Sequence, residues 1–228
     1  ALPLERIGSK TETVSAVIDN VVVSAKEPEQ DIYNKAAWTG TAESETPTSQ
    51  GGGKEGVIGM AFDNSSSTHW HSDWSQATKD KVPTSAGAAG TGKGADGSIW
   101  AEVKFDKGYE INQVLFAPRQ DTNSGQVTKA SLYIQTEKDG KWVEVAKDKT
   151  FAADKSEKAF TFDKQMVYGF KFVATQSNDG WVTVSEFNIA DKKVTDKIYT
   201  VYVEAETGGK VSGGKDVSAG ESVTATAT

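Results

Sequence analysis

The 228-residue chain contains no cysteine, which removes thiol nucleophiles, zinc knuckles and disulfide frameworks together. Its only histidines are His69 and His71. No G-x-S-x-G elbow is present, so nothing in the sequence points to a Ser–His–Asp hydrolase. Basic residues are outnumbered, 25 Lys+Arg against 32 Asp+Glu, for a net charge of −7. That balance excludes a nucleic-acid binder, which needs clustered cations to neutralise phosphates, and a polybasic membrane anchor. No window approaches the roughly 18 apolar residues of a spanning helix. Leucine is scarce, and no long stretch carries apolar residues at i, i+3, i+4 and i+7, so amphipathic helices are excluded as the organising element.

What the chain does have is 22 glycines, 6 tryptophans, 6 tyrosines and 9 phenylalanines, beside abundant Thr, Ser and Val. Pleated, half-buried strands joined by tight turns ask for that mixture, and the chain reads as all-β. Residues 14–25 are a β-branched strand with no preceding partner, followed by the charged, proline-broken segment 26–31. This leads us to expect residues 1–25 to end a preceding β-sandwich module, 26–31 to be a linker and 32–191 to be the main domain. Within that domain Ile99–Phe105 and Ile111–Phe116 alternate apolar and polar. Asp139-Gly140 between Ser131–Thr136 and Lys141–Ala146 signals a hairpin. Ala159–Phe162, Tyr168–Ala174 and Val182–Ala190 supply further strands. Such a set of short strands fits a sandwich or jelly roll. Residues 192–228, with the Gly-Gly-x-Val-Ser-Gly turn at 208–213, read as the start of another β module in a longer modular protein.

Two phosphate-loop patterns fail on context. Gly51, Gly53 and Gly56 satisfy G-x-G-x-x-G without a preceding strand, and Gly87 to Lys93 spells G-x-x-x-x-G-K with Gly94 where a Ser or Thr is required. The informative run is Gly56 to Trp74. Asp63, Thr68 and nearby carbonyls could supply a hard cation with oxygen ligands, although an ordinary Asp-Asn turn leaves the same pattern. Trp70, His71 and Trp74 follow, with Trp70 read as core. Aromatic faces stack on the C–H face of a sugar and imidazole reaches a hydroxyl. Arg119 at a strand exit can fork hydrogen bonds to adjacent hydroxyls, with Asn123 close by. Asn178-Asp179-Gly180 is a turn that pushes Trp181 towards solvent. Glu186 lies mid-strand, where a lone acid needs a partner or a metal.

In order along the chain, Trp38-x-x-x-Ala42-x-Ser44, Ala61-Phe62-Asp63-Asn64 with Thr68-x-Trp70-His71-Ser72, Pro118-Arg119 with Gly125, Asp139-Gly140-Lys141-Trp142 and Ser185-Glu186-Phe187 resemble the family-32 carbohydrate-binding modules of the coagulation factor 5/8 type C (discoidin) superfamily. The resemblance covers residues 32–190. It implies an all-β, galactose-binding-like β-sandwich (jelly roll) that is itself non-catalytic. It also implies a structural Ca2+ held by Asp63, Thr68 and Glu186, with carbonyls of Met60, Ser66 and Ser185. The sugar site would comprise His71, Arg119 and Asn123 as hydrogen-bonding groups, with Ser124 competing for the Asn123 position, Trp181 as stacking platform and Trp74 as second wall. The implied ligands are glycans ending in galactose or N-acetylgalactosamine. The implied setting is a secreted or cell-surface bacterial protein whose attached catalytic module is a glycosidase, of endo-α-N-acetylgalactosaminidase or lacto-N-biosidase type. The alternative within the superfamily is binding to a protein or phospholipid surface. Two departures from the family pattern stand out: Asn64 after the loop Asp, and a long Gly/Ala-rich insertion over residues 79–97.

Overall fold

The computed structural model describes residues 33–75, 77 and 79–191 fully, and outside them the backbone strands at 15–18, 21–26, 198–205, 211–212, 215–218 and 226–227. In chain order the strands are β1 (Ser15–Ile18), β2 (Val21–Lys26), β3 (Thr39–Ala42), β4 (Glu55–Gly56), β5 (His69–His71), β6 (Ile99–Ala117), β7 (Val127–Gln135), β8 (Val143–Thr150), β9 (Lys158–Ser177), β10 (Thr183–Val184), β11 (Glu186–Ala190), β12 (Ile198–Ala205), β13 (Val211–Ser212), β14 (Lys215–Ser218) and β15 (Thr226–Ala227). Among the described residues the helical segments are three short 3-10 turns, at Lys35–Ala37, Ile58–Ala61 and Ala95–Gly97. The scarcity of helix-forming periodicity thus has its expected result.

Tyr33–Asp191 form one compact unit. Its main sheet runs β11-β6-β9-β7-β8, with β3 also paired to β6, and its smaller sheet runs β10-β5-β4. The buried cluster draws on both: Phe116, Phe160, Phe170, Phe172 and Phe187 from the large sheet, and Trp70 and Val184 from the small one. Phe116 and Phe172 lie 5.0 Å apart, Phe170 and Phe187 5.1 Å. Trp70 is fully buried as expected, and its indole N–H donates to the Ser44 carbonyl at 2.9 Å. Without that acceptor the buried N–H would be a net cost.

Strand boundaries differ from the sequence reading where polar residues lie inside strands. The two expected strands at 99–105 and 111–116 are one 19-residue strand, β6, and the two at 159–162 and 168–174 are one 20-residue strand, β9. β6 and β9 pair along almost their whole length, with register irregularities between Lys104 and Tyr109 and between Ile111 and Gln113. Bulges there let long strands bend and change partner: the first part of β6 pairs with β3 and the last part with β11. The hairpin at Asp139-Gly140 is present between β7 and β8, with Asp139 at φ 56° in the left-handed region. In the other direction, 182–190 is broken in two at Ser185, whose backbone N–H donates to Ala117 O at 2.8 Å. Before the break the strand pairs with β5, after it with β6.

The described terminal strands make their own sheet, ordered β1-β2-β12-β14. β2 pairs with β12 from Val21↔Ala205 to Lys26↔Thr200. The sequence reading divides residues 1–25 and 192–228 between two modules, whereas this pairing joins strands from both ends in one sheet. Two β-branched segments so far apart in the chain carry no local sign of being partners. The Gly-rich turn at 208–210 lies outside the described residues.

Candidate functional site

One end of the Tyr33–Asp191 unit carries an open cleft of about 300 Å³ lined by Glu55, His71, Trp74, Lys79, Arg119 and Trp181. Each wall arrives on a different element. His71 ends β5, where it pairs with Thr183 of β10, and Glu55 enters through the parallel pairing of β4 with β5. Arg119 follows the end of β6, and Trp181 precedes β10. Four of the five residues anticipated as sugar contacts therefore meet around one cleft. Asn123 is exposed on the neighbouring loop and is not among the lining residues. Its carbonyl accepts from Asn178 Nδ2 at 2.6 Å, and the Ser124 hydroxyl donates to Asp179 at 2.6 Å. Ser124 is thus committed to the protein, while Asn123 is exposed.

The polar groups are held in fixed roles. Arg119 grips Asp121 through Nε and Nη2 at 2.7 and 2.8 Å, and its Nη1 lies 3.5 Å from Glu55 Oε2. This fork fixes the guanidinium plane and pushes the Arg119 pKa up, the hydrogen bond to Asp121 being the main cause. Glu55 also accepts from the Trp74 indole at 2.9 Å and from His69 Nε2 at 3.3 Å. His71 Nδ1 donates to the Ser72 carbonyl at 2.7 Å. Burial lowers the pKa of His71, and lowers that of His69 to about 4. His71 is therefore a neutral ring whose Nδ1 carries the proton, which leaves Nε2 as an acceptor. The Trp181 ring stands 5.6 Å from the His71 ring at 57°, with the Lys81 ammonium 4.4 Å from its centroid. Chemically the cleft offers a fixed cation, an acidic acceptor, an imidazole acceptor and two indoles. That set matches a compact polyhydroxylated ligand with one apolar face.

Glu55, Lys79, Lys81 and Asp121 were not anticipated from sequence. Glu55 sits in a Gly-rich loop, and only the β4–β5 pairing reveals its place. Asp121 lies two residues beyond Arg119, and that spacing was the one available clue.

The second group of anticipated residues, the cation ligands, gathers around β11. Asp63 Oδ2 accepts from the Thr68 hydroxyl at 2.7 Å and Asp63 Oδ1 from the Ser65 N–H at 2.9 Å. Asn64 holds φ 64°, a left-handed conformation that Asn and Gly tolerate, and this accounts for Asn standing where Gly is commoner. The Thr68 hydroxyl also donates to Ser65 O at 3.2 Å, beside the Ser66 carbonyl expected as a ligand. Met60 closes the turn Ile58–Ala61, and Ser185 directly precedes Glu186. Glu186 Oε1 accepts from Lys35 Nζ at 2.7 Å, while Glu186 Oε2 is buried with no hydrogen-bond partner. Burial raises the Glu186 pKa. No group of three or more His, Cys, Asp or Glu side chains suited to a metal occurs among the described residues. A site here would rest on two carboxylates, a hydroxyl and carbonyls. That all-oxygen set fits a hard cation, and the orphaned Oε2 is a ligand atom still to be satisfied.

Comparison with known proteins decides the family. The F5/8 type C domain matches residues 39–187. The chain belongs to the F5/8 type C family. Its fold is that of the family-32 carbohydrate-binding modules. It resembles the CpGH89CBM32-5 module of Clostridium perfringens in complex with GalNAc-β-1,3-galactose, with TM-score 0.56 and 21% identity, covering 68% of this chain and 96% of that one. It also resembles the family-32 module of C. perfringens NanJ in complex with galactose, with TM-score 0.54 and 21% identity, covering 73% and 98%. A curated relative is the A type blood N-acetyl-α-D-galactosamine deacetylase of Flavonifractor plautii, 25% identical over 178 residues, which make up 78% of this chain. The alignment spans only 20% of that enzyme's length.

Proposed function

We propose that this F5/8 type C domain is a non-catalytic carbohydrate-binding module that takes a terminal galactose or N-acetylgalactosamine in the cleft. The observation that carries the reading is the convergence of Arg119, His71, Glu55, Trp74 and Trp181 around one open cleft. Arg119 donates to vicinal hydroxyls. The bare Nε2 of neutral His71 and the carboxylate of Glu55 accept hydroxyl protons, and an axial hydroxyl fits between His71 and Arg119. An indole, that of Trp181 with Trp74 as the opposing wall, takes the C–H face. No pair of acids stands free across the cleft to act as acid and nucleophile, because Glu55 and Asp121 are tied to Arg119, Trp74 and His69. Related modules bound to GalNAc-β-1,3-galactose and galactose support the choice of sugar.

A shallow site of this kind gives roughly millimolar to tens-of-micromolar affinity, so its use is to raise the local concentration of an attached glycan-processing enzyme. A secreted or cell-surface bacterial setting follows from that use. A phospholipid-binding version would need apolar spikes at the loop end. The exposed large hydrophobics among the described residues are Val143 and Met166, on β8 and β9, away from the cleft. When Ca2+ is bound, Asp63, Thr68 and Glu186 with neighbouring carbonyls would hold it, and it would supply the charge that fixes this loop.

Titration calorimetry with galactose, N-acetylgalactosamine and glucose tests the proposal. Arg119→Ala and Trp181→Ala should each remove measurable galactose binding while leaving the melting temperature within a few degrees. Retention of binding in both, or equal affinity for glucose, refutes it.

A further inference from the structure

The acids of the cleft and Arg119 are answered by ion pairs and hydrogen bonds, but two lysines beside them have no acidic partner among the described residues. Arg119 is divided between Asp121 and Glu55. Asp179 accepts from the Ser124 hydroxyl and from the N–H groups of Gly125 and Trp181. Lys79 and Lys81, by contrast, open the insertion that departs from the family pattern, and neither makes an ion pair among the described residues. Asp80 and Val82 between and after them are buried, so the two lysines fall on the outward side of the segment. Lys79 lines the cleft. Lys81 is already set in place: a Cβ on Gly180 would lie 3.0 Å from its Cδ and 3.3 Å from its Cβ, and its ammonium stands 4.4 Å from the Trp181 centroid. A stem packed in this way gives up little further entropy when its head meets an anion. Beside a cleft whose carboxylates are engaged by Arg119 and by hydrogen bonds, these two lysines are the cations left to meet an incoming anion.

We infer that the cleft selects glycans in which the sugar next to the terminal galactose or N-acetylgalactosamine carries an acidic group, a sulfate ester or a uronate carboxylate, received by Lys79 and Lys81. The inference rests on the sugar-binding reading above and deepens it. Trp181 and Arg119 hold the terminal ring, and the lysines meet the charge of its neighbour. Exposed ion pairs of this kind are individually modest, so an acidic ligand should bind about fivefold more tightly than its neutral counterpart in low salt, an advantage that screening removes.

The experiment uses the full chain and three probes: N-acetyllactosamine, the same disaccharide sulfated at O6 of its N-acetylglucosamine, and the chondroitin disaccharide ending in N-acetylgalactosamine linked to glucuronic acid. Calorimetry at low and high salt should show tighter binding of at least one acidic probe, with the ratio to the neutral sugar falling towards one at high salt. Which acidic probe gains identifies sulfate or carboxylate as the recognised group. In a Lys79→Gln/Lys81→Gln variant the ratio should fall towards one at low salt as well. Equal or weaker binding of both acidic probes by the wild type overturns the inference and leaves the galactose reading standing. A preference that survives in the variant overturns the assignment to these lysines. Should that variant fail to fold, the wild-type salt comparison and Lys79→Gln alone decide the matter. Binding of none of the three sugars overturns both readings.

Discussion

The cleft and the Asp63–Glu186 loop region are both built from carboxylates brought together by strands of two sheets, yet they are finished to different degrees. In the cleft Glu55 faces an indole N–H, an imidazole and a guanidinium, and Asp121 holds a two-pronged grip on the same guanidinium. Around Glu186 one oxygen meets Lys35 while the other is buried without a partner. The cleft is therefore a preorganised surface, rigid before any ligand arrives. The loop region has one lone pair in hand and depends on Lys35 for what neutralisation it has. The difference accords with the proposed division, in which the first region binds and the second maintains the fold.

Breaking the second region should have the larger effect on stability. Lys35 is 7% exposed, and its ammonium is the cation paired with Glu186, whose side chain is 12% exposed and whose Oε2 is buried. Lys35→Met strands that carboxylate and should cost about 3–5 kcal/mol, seen as a lower melting temperature in chelator. The Lys35→Met/Glu186→Gln double variant should recover much of the loss, and additive losses in the pair would contradict a shared role. Added Ca2+ should raise the melting temperature of the wild type, and Glu186→Gln should abolish that rise.

The histidines sharpen the contrast at an intermediate scale. An unfolded imidazole takes a proton near 6.5, whereas folded His69 does so only near 4. Between those values the unfolded chain binds more protons, so stability falls as pH drops through this window, by about 3 kcal/mol when complete. Burial shifts His71 in the same direction. A denaturation series from pH 7 to pH 4 should show the decline, and His69→Phe should flatten it. The smallest effect belongs to Trp74→Phe, which deletes one of several donors to Glu55. It should weaken galactose binding by about 1 kcal/mol while leaving the melting temperature nearly unchanged, as calorimetry and thermal melts can check.

The fold was largely legible because alternation along 99–105 and 111–116, the Asp139-Gly140 turn and the lack of helical periodicity all point the same way. Internal polar runs such as Asp106-Lys107-Gly108 look like turns in the sequence. In the structure they are bulged positions inside continuous strands, since backbone pairing with β9 overrides local composition. His71, Trp74, Arg119 and Trp181 were legible because aromatic, imidazole and guanidinium groups near strand ends are unusual enough to stand out. Glu55 and Lys35 were not. Glu55 depends on a parallel pairing with His69, and Lys35 depends on an acid 151 residues away. Neither relation leaves a local pattern.

The break at Ser185 bears on what lengths of chain this domain can tolerate. Trp181, Thr183 opposite His71, and Glu186 opposite Ala117 follow one another along a short stretch that passes from the small sheet to the large one. Because side chains alternate along a strand, adding or deleting one residue between 181 and 186 would put either the cleft or the Asp63–Glu186 region out of phase. The segment 79–97 begins at the cleft with Lys79 and, being loop and turn apart from a single 3-10 turn, carries no such phase. Variation in length can therefore collect there and retune the rim, while the crossing strand must keep its count.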